Sequence, residues 1–253
     1  DRLNLAIRDV DIVYHAAAMK HIDICEYNPF DAVKTNVVGT SNILEASIIE
    51  EVEKFVFIST DKATNPTSTL GGSKLLAERL TLDAGTYAGK GKTKFAIVRF
   101  GNVLGSRGSV FQIFQNQIKM KKPLTVTDKR MTRYIMSISE AASMILKVTK
   151  ILEGGEIYIL KMPSVRIEDL AKGIIHVYGL RFPDYRNTSS LKITKPRGER
   201  FHELLITNEE NLFCHDIGDM YKISKTENKK QLPYKEFSSE TASRIPQSKL
   251  HKI

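Results

Sequence analysis

Only two cysteines occur in the 253 residues, Cys25 and Cys214, and they stand in no metal-ligand or redox spacing. That excludes a disulfide-stapled scaffold and leaves two ordinary thiols in a reducing cytoplasm. No apolar run approaches the roughly 20 residues that cross a bilayer, and no basic-then-apolar leader opens the chain. No membrane partner is therefore expected. Internal repeats are absent. Basic residues are not interleaved with aromatics as in a single-strand binder, so nucleic acid is not an expected partner. His15 and His21 lack neighbouring ligand types, so no metal is expected. Also missing near the start is a glycine-rich phosphate turn; DRLNLAIRDV reads instead as a helix leading into a strand.

What is present is an ordinary hydrophobic fraction of 42% and a formal net charge of +9. The chain is long enough for one large α/β domain or a domain plus a lobe. A basic balance suits an anionic partner such as a phosphorylated small molecule. Most of the excess, in lysines such as Lys119, Lys121, Lys122, Lys229 and Lys230, reads as solvated faces and a basic tail.

The first half alternates strand-like and helix-like segments. Strands are expected at Asp11–Ala16, Lys54–Ser59, Phe95–Phe100 and Glu156–Leu160, the second and third nearly all apolar. Such runs mark strands covered on both faces. Helices follow Asn28-Pro29, an N-cap and first-turn proline signal, then Gly71-Gly72 and Ser139-Glu140. The pattern predicts a Rossmann-like parallel sheet over residues 1–160, the kind that forms an NAD(P)-binding domain. Either the fold never had the glycine-rich turn, or a first βαβ unit carrying it lies outside this chain; motifs further along favour the second. Residues 161–253 are expected to form a small substrate-binding lobe and tail. Within it, Ile167–Tyr178 and Arg197–Ile206 read as amphipathic helices. Ligands of such sheets bind beyond the carboxyl ends of the strands.

One strand end carries an unusual pair. In STDKATNPTSTLGGSK, an apolar strand delivers Asp61 and Lys62 at its mouth, before an Asn65-Pro66 turn and a helix. A carboxylate beside an amine suits proton transfer, one as acid and one as base. An isolated Asp-Lys pair would be a solvated loop; the preceding buried strand argues for chemistry.

This segment resembles the extended short-chain dehydrogenase/reductases that act on nucleotide sugars, and within them the UDP-N-acetylglucosamine 4,6-dehydratases of polysaccharide and flagellin-sugar biosynthesis. Other similar stretches are HAAAMKHIDICEYNP (15–29), KTNVVGTSN (34–42), RFGNVLGSRGSV (99–110), PLTVTDKRMTRYIMS (123–137), RGERFHELLI (197–206) and HDIGDMYKI (215–223). The resemblance implies a GGTGSFG-like turn upstream of Asp1. It also implies that Ala16, Ala17, Lys20, Ile58, Ser59, Lys74 and Val103 approach NADP or NAD. Lys20, Asn102, Arg107, Gly108, Ser109, Val110 and Phe111 would hold a UDP-sugar, with Arg133 and Arg197 on its phosphates. Arginine suits phosphate because its planar fork donates paired hydrogen bonds.

The implied reaction is oxidation at C-4 of the hexose, elimination of water across C-5 and C-6, and return of the hydride to C-6. Lys62 is the expected base at C-5, Asp61 the acid at C-6, and Thr60 and Lys74 complete the catalytic set. Lys62 needs desolvation or cationic neighbours to act as a base, and Asp61 needs a raised pKa. One departure stands out. The family's YxxxK arrangement would place tyrosine at position 70, and this chain has Leu70. Some relatives carry methionine there, and Thr60 with Asp61, or a water, is the expected substitute. The C-terminal blocks look closer to the branch that inverts at C-5 and the NPTS stretch to the one that retains, with the balance toward inversion. A homo-oligomer is expected from the same resemblance.

Other residues read as structural. Cys25, Met131, Met136 and Met144 fill core, His15 and His21 are structural or support site residues from behind, and His202 packs or caps. Glu26 and Asn28 order a loop and cap a helix, and Arg130 is as readily solvated as phosphate-bound. The competing functions are a nucleotide-sugar 4-epimerase or reductase, which keeps the C-6 hydroxyl, and a non-catalytic binding module.

Overall fold

The computed structural model describes residues 2–89, 91–106, 108–181, 191–193, 200–228, 232–246 and 250. In chain order the elements begin α1 (Arg2–Ile7), β1 (Ile12–His15), α2 (Ile22–Tyr27), α3 (Pro29–Val33), α4 (Gly39–Ile49), β2 (Lys54–Thr60) and α5 (Thr69–Tyr87). They continue with β3 (Lys94–Phe100), β4 (Asn102–Val103), α6 (Val110–Lys119), β5 (Leu124–Val126), β6 (Thr132–Met136), α7 (Ile138–Ile151), β7 (Glu156–Leu160), β8 (Ser164–Arg166) and α8 (Ile167–Arg181). The last are β9 (Leu191–Ile193), β10 (Leu204–Ile206), α9 (Asn208–Asn211), β11 (Cys214–Asp216) and β12 (Met220–Ile223).

Two compact units share these elements. Unit 1 comprises Asp1–Phe100, Ala142–Lys161 and Leu204–Phe237; unit 2 comprises Gly101–Ala141, Met162–Glu203 and Ser238–Ile253. The expected division at residue 160 meets only one of the crossings. The chain leaves unit 1 already after β3, returns to it for Ala142–Lys161 and again at β10, so neither unit is a continuous half.

Unit 1 holds a six-stranded sheet in the order β1-β2-β3-β7-β12-β11. The first four strands are parallel, with Phe55 opposite Val13 and Phe95, and Ile97 opposite Phe57 and Ile157. Phe55, Val56, Phe57, Ala96, Ile97 and Val98 are fully buried. That accounts for their unbroken apolar runs: a strand buried on both faces has no polar period, and in β2 and β3 only Lys94, at an end, is exposed. The expected Rossmann-like α/β sheet is present.

Three expectations need correction. Residues 204–206 are a strand, not the end of a helix from Arg197, and Phe201 and His202 form a bend. Leu204, Leu205 and Ile206 are all buried, and so short an apolar run fits either period. The stretch from Asn208 is not merely an extended tail. Its HDIGDMYKI segment forms a hairpin, β11 and β12, antiparallel at the sheet edge, with Tyr221 opposite Ile159. Asn28 does begin α3 with Pro29 in the first turn, but its side chain makes no cap; Nδ2 donates to the Ile24 carbonyl at 3.0 Å and closes α2 instead.

Unit 2 is built around Phe114, Ile118, Leu124, Val126, Ile135 and Leu170, joined by α6, β5, β6 and α8. Its strands form a β4-β6-β8 sheet and a parallel β5-β9 pair. Met131, Met136 and Met144 are buried as expected. No helix among the described residues is long and apolar enough to cross a membrane.

Candidate active site at the end of strand β2

Strand β2 ends in an extended Thr60, after which Asp61–Ala63 make one turn of 3-10 helix. The turn folds because Thr60 caps it: its hydroxyl accepts from the Lys62 amide at 3.4 Å and donates to Asp61 Oδ1 at 3.0 Å. Lys62 Nζ donates to the same oxygen at 2.9 Å. Asp61 is wholly buried while the Lys62 side chain keeps 20% of its exposure. The sequence-adjacent pair is thus a contact ion pair at a strand mouth, with the hydroxyl of Thr60 on the same carboxylate. Strand β10 lies against this turn.

Helix α5 is seated directly behind it. Its N-terminus is fixed by Ser68, whose Oγ accepts from the Gly71 amide at 3.1 Å, and by Glu26, whose carboxylate accepts from the Thr69 amide at 2.6 Å. A carboxylate at a helix N-terminus is favoured by the exposed N–H groups there. Gly71 is required by proximity: a Cβ would lie 2.4 Å from the Lys62 carbonyl oxygen and 2.9 Å from Pro66 Cβ. One turn later Lys74 is buried, with Nζ donating to the Ile58 carbonyl at 2.8 Å and lying 4.4 Å from the Phe57 ring centroid. Burial pulls its pKa down to about 8, against a smaller upward pull from Glu78. Leu70, where a tyrosine was looked for, is buried against Cys25 and Ala32, with Met19 and Ile22 beside them. The position has become a small core, and Cys25 is a core thiol whose pKa burial raises.

A buried polar chain, not foreseen from the sequence, binds this region together. The α3–α4 helix contains a π-helical turn at Lys34–Val38. Such turns shift the register of a helix and expose groups for other uses. Asn36 in that turn accepts from the Met19 amide at 2.8 Å and donates to the Met19 carbonyl at 3.0 Å and to Ser73 Oγ at 2.9 Å. Asn36 thereby ties the loop after β1, which carries the exposed Ala16, Ala17 and Lys20, to the helix carrying Lys74. Lys20 is lowered in pKa by partial desolvation. His15 is buried between Phe55 and Phe57 and is lowered to about 4, by desolvation first and by Lys74 second. It is a structural imidazole, as expected; His21 opens α2 without a side-chain cap.

A second buried cluster braces α5 from the other side. Arg99 on β3 grips Glu78 through Nε–Oε1 at 3.0 Å and Nη2–Oε2 at 2.7 Å, and Glu210 through two contacts of 3.0 and 2.9 Å. It also donates to the Leu205 carbonyl at 2.9 Å. Glu210 doubles as the third residue of a capping box with Thr207 on α9. No periodicity announces this cluster, because its members are distant in sequence.

The atoms available for a nicotinamide group fit it. Ser59 Oγ is buried and has no hydrogen-bond partner among the described residues. It lies between Ile58, whose carbonyl holds Lys74, and Thr60. A polar amide and a ribose are the kind of groups such atoms accept. In unit 2, the loop between β4 and α6 is closed by Gln112, which accepts from the Gly108 amide at 2.9 Å and donates to the Gly105 carbonyl at 3.4 Å. Gly105 and Gly108 have φ of +75° and +69°, the left-handed region glycine favours. Asn102 Oδ1 and Ser109 Oγ are buried without a partner among the described residues. Val103 is half-buried, and Val110 and Phe111 begin α6 and pack on the unit 2 core. Arg133 is buried, its Nε 3.5 Å from Glu203 and its Nη1 donating to the Thr132 carbonyl at 2.8 Å. Arg130 pairs with Asp128 at 2.9 Å and lies over Phe201, and His202 meets Thr132 at 2.9 Å. Arg107 and Arg197 lie outside the described residues.

Residues 1–225 match the family described as polysaccharide biosynthesis protein. The chain belongs to that family. It is 52% identical over 224 residues to an uncharacterized membrane protein of Methanocaldococcus jannaschii, covering 88% of this chain and 67% of that protein. It is 40% identical over 225 residues to the UDP-N-acetylglucosamine 4,6-dehydratase (inverting) of Campylobacter jejuni, 88% of this chain and 64% of that one. A UDP-glucose 4-epimerase of Rickettsia bellii is 38% identical over 222 residues, 86% and 62% of the two chains. The chain thus spans about two thirds of the length of these relatives. Among solved structures, Pen from Bacillus thuringiensis superposes with a TM-score of 0.92 at 39% identity, over 100% of this chain and 77% of that one. The fold is shared with the dTDP-glucose 4,6-dehydratase DesIV of Streptomyces venezuelae, solved with NAD bound: TM-score 0.69, 21% identity, 79% of this chain and 66% of that one.

Proposed function

We propose that this chain carries the catalytic part of a nucleotide-sugar 4,6-dehydratase acting on UDP-N-acetylglucosamine. The observation that carries the reading is the contact between Lys62 Nζ and Asp61 Oδ1 at 2.9 Å, with the carboxylate buried and Thr60 on the same oxygen. An elimination needs a base at C-5 and an acid at the C-6 oxygen. Moving one proton along that contact gives both at once, a neutral amine and a carboxylic acid. Lys62 then takes the C-5 proton and Asp61 releases its own to the departing hydroxyl, which leaves as water. That step leaves the pair as ammonium and carboxylate. On reduction at C-6, C-5 takes up a proton, which offsets the one given up by the C-4 hydroxyl in the oxidation, so the whole turnover is proton-neutral. A bound nicotinamide, NADP or NAD, supplies the reversible oxidation at C-4 that acidifies C-5.

The remaining roles follow from this reading. Lys74 orients the nicotinamide ribose, and Ser59 and Ile58 line its amide side, with Ala16, Ala17, Lys20 and Val103 along the cofactor. Thr60 takes the place left by the tyrosine as the polar group toward the C-4 hydroxyl. Asn102, Arg107, Gly108, Ser109, Val110, Phe111, Arg133 and Arg197 hold the UDP-sugar, with Lys20 reaching toward it. Any phosphate contact by Arg133 has to compete with Glu203. Inversion at C-5 is the activity for which the Campylobacter relative is named. The two cysteines, both free and buried, suit a cytoplasmic enzyme. Tyr27 and Phe30, 86% and 90% exposed, support a homo-oligomer.

Incubation with UDP-N-acetylglucosamine and NADP or NAD, followed by proton NMR, tests the proposal. A 4-keto-6-deoxy product is expected. The epimerase relative supports a second reading, in which C-4 inverts and the C-6 hydroxyl is retained in the product. UDP binding with no turnover at all would point instead to a binding module.

A further inference from the structure

The positive charge of this chain is not spread evenly. Unit 2 contains eighteen Lys and Arg against eight Asp and Glu, whereas unit 1 contains twenty against twenty-one. The excess has a local origin. No acidic residue occurs between Asp83 and Asp128, and none between Asp184 and Glu199. Pairing of β5 with β9 sets Leu124–Val126 of the first stretch beside Leu191–Ile193 of the second, Thr125 opposite Lys192 and Val126 opposite Ile193. Asp128, the first acid after the long stretch, is engaged by Arg130 at 2.9 Å.

Lys119, Lys121, Lys122 and Lys192 are exposed along this edge, and none makes an ion pair among the described residues. Lys119, in the last turn of α6, is explained in part by the negative end of the helix. Lys121, Lys122 and Lys192 lie outside that helix and are not. The same elements also carry large apolar side chains that are not buried: Ile113, Met120 and Ile193, exposed by 46%, 64% and 55%, with Met120 flanked in sequence by Lys119 and Lys121. Ile113, Asn116 and Met120 recur at i, i+3 and i+7, the outward stripe of α6, opposite the buried Phe114 and Ile118.

We propose that this edge of unit 2 docks the protein peripherally on an anionic lipid surface. The lysines would meet the headgroups, and Met120, Ile113 and Ile193 would enter the boundary of the acyl region. Lysine with exposed aliphatic residues is the composition of interfacial binding, in which a long stem lies in the apolar layer and the ammonium reaches water. Nucleic acid is less suited, because no Phe or Tyr is exposed among the described residues of 110–127 and 191–193 for a base to stack on. The proposal does not depend on the dehydratase reading, since none of these side chains has a place in it.

Co-sedimentation of the chain with vesicles tests it, comparing phosphatidylcholine alone with equal parts phosphatidylcholine and phosphatidylglycerol. Binding is expected to the anionic vesicles only and to weaken with added salt. The triple substitution Lys119→Gln, Lys121→Gln, Lys122→Gln should lower partitioning roughly a hundredfold, at about fivefold per lysine. Met120→Ser should lower it with little change in salt dependence. Lys92→Gln, in unit 1 and paired with Glu51 at 3.0 Å, should leave it unchanged. Far-ultraviolet circular dichroism checks that each variant folds. Equal binding to both vesicle types, or anionic binding untouched by the triple substitution, overturns the proposal. So does retention on RNA homopolymer with no vesicle binding.

Discussion

The Thr40 hydroxyl stands 2.9 Å from His15 Nε2 and gives its single proton to the Asn36 carbonyl at 2.7 Å. The imidazole must therefore be the donor in that pair, which fixes its neutral form with the proton on Nε2. This one relationship links the end of β1 to the π-helical turn, and through Asn36 and Ser73 to the helix that carries Lys74.

A pH dependence of stability follows. His15 titrates at about 4 in the fold and at 6.5 in the unfolded chain. The unfolded chain binds more protons in that window, so stability is intact above pH 6.5 and falls as pH drops toward 4, by about 2–3 kcal/mol in all. Urea unfolding from pH 7 to pH 4 should show this slope. His15→Gln should flatten it, at the cost of lower stability at pH 7.

Lys74 should show a conflict between stability and activity. Its ammonium is buried and held at about 8 instead of 10.5. The fold opposes its protonation, so stability falls as pH drops from 10.5 toward 8. Lys74→Met, similar in volume and uncharged, is expected to raise stability at pH 7 by about 1–2 kcal/mol. It should also abolish nicotinamide binding. Thermal unfolding and cofactor titration on the same sample check both parts.

The Arg99 cluster should be strongly coupled. Arg99→Ala leaves Glu78 buried without its counter-charge and should cost about 3–5 kcal/mol. Glu210→Gln, at a more exposed member, should cost about 1–2 kcal/mol. Burial works to raise the Glu210 pKa, but Arg99 outweighs it and the net shift is downward. Its contribution is thus present above the ordinary carboxylate range and lost as pH falls through its lowered folded value. A double-mutant cycle in urea should show non-additivity, and Glu210→Gln should reduce the acid slope.

Asp61→Asn and Lys62→Met should each lower turnover by about 10²–10⁴-fold with the fold retained, since each removes one half of the proton exchange. If the C-5 base is Lys62, Lys62→Met should also abolish exchange of solvent deuterium into C-5, measured by NMR. Asp61→Asn should leave some exchange while blocking loss of the C-6 oxygen.

Much of this was legible in the order of residues. The buried parallel strands were readable because strands covered on both faces have no polar period, as in KFVFIS and FAIVRF. Asp61 and Lys62 were visible because neighbours on a strand end stay neighbours in space. Glu26 reads from the sequence as ordering its loop and the helix beside it; only the fold shows that its carboxylate caps α5 at Thr69. HELLI misled, because a three-residue apolar strand and a helical turn have the same composition.

The sequence by itself determined which segments had to leave water and which two ionisable groups would share one strand mouth. Tertiary structure decided the rest: that Leu70 faces a core of Cys25 and Ala32, that Arg99 joins Glu78 to Glu210, and that β5 pairs with β9. Local patterns report burial and turns because those depend on near neighbours. Pairing across 21 to 111 positions depends on how the elements pack, which no periodicity encodes.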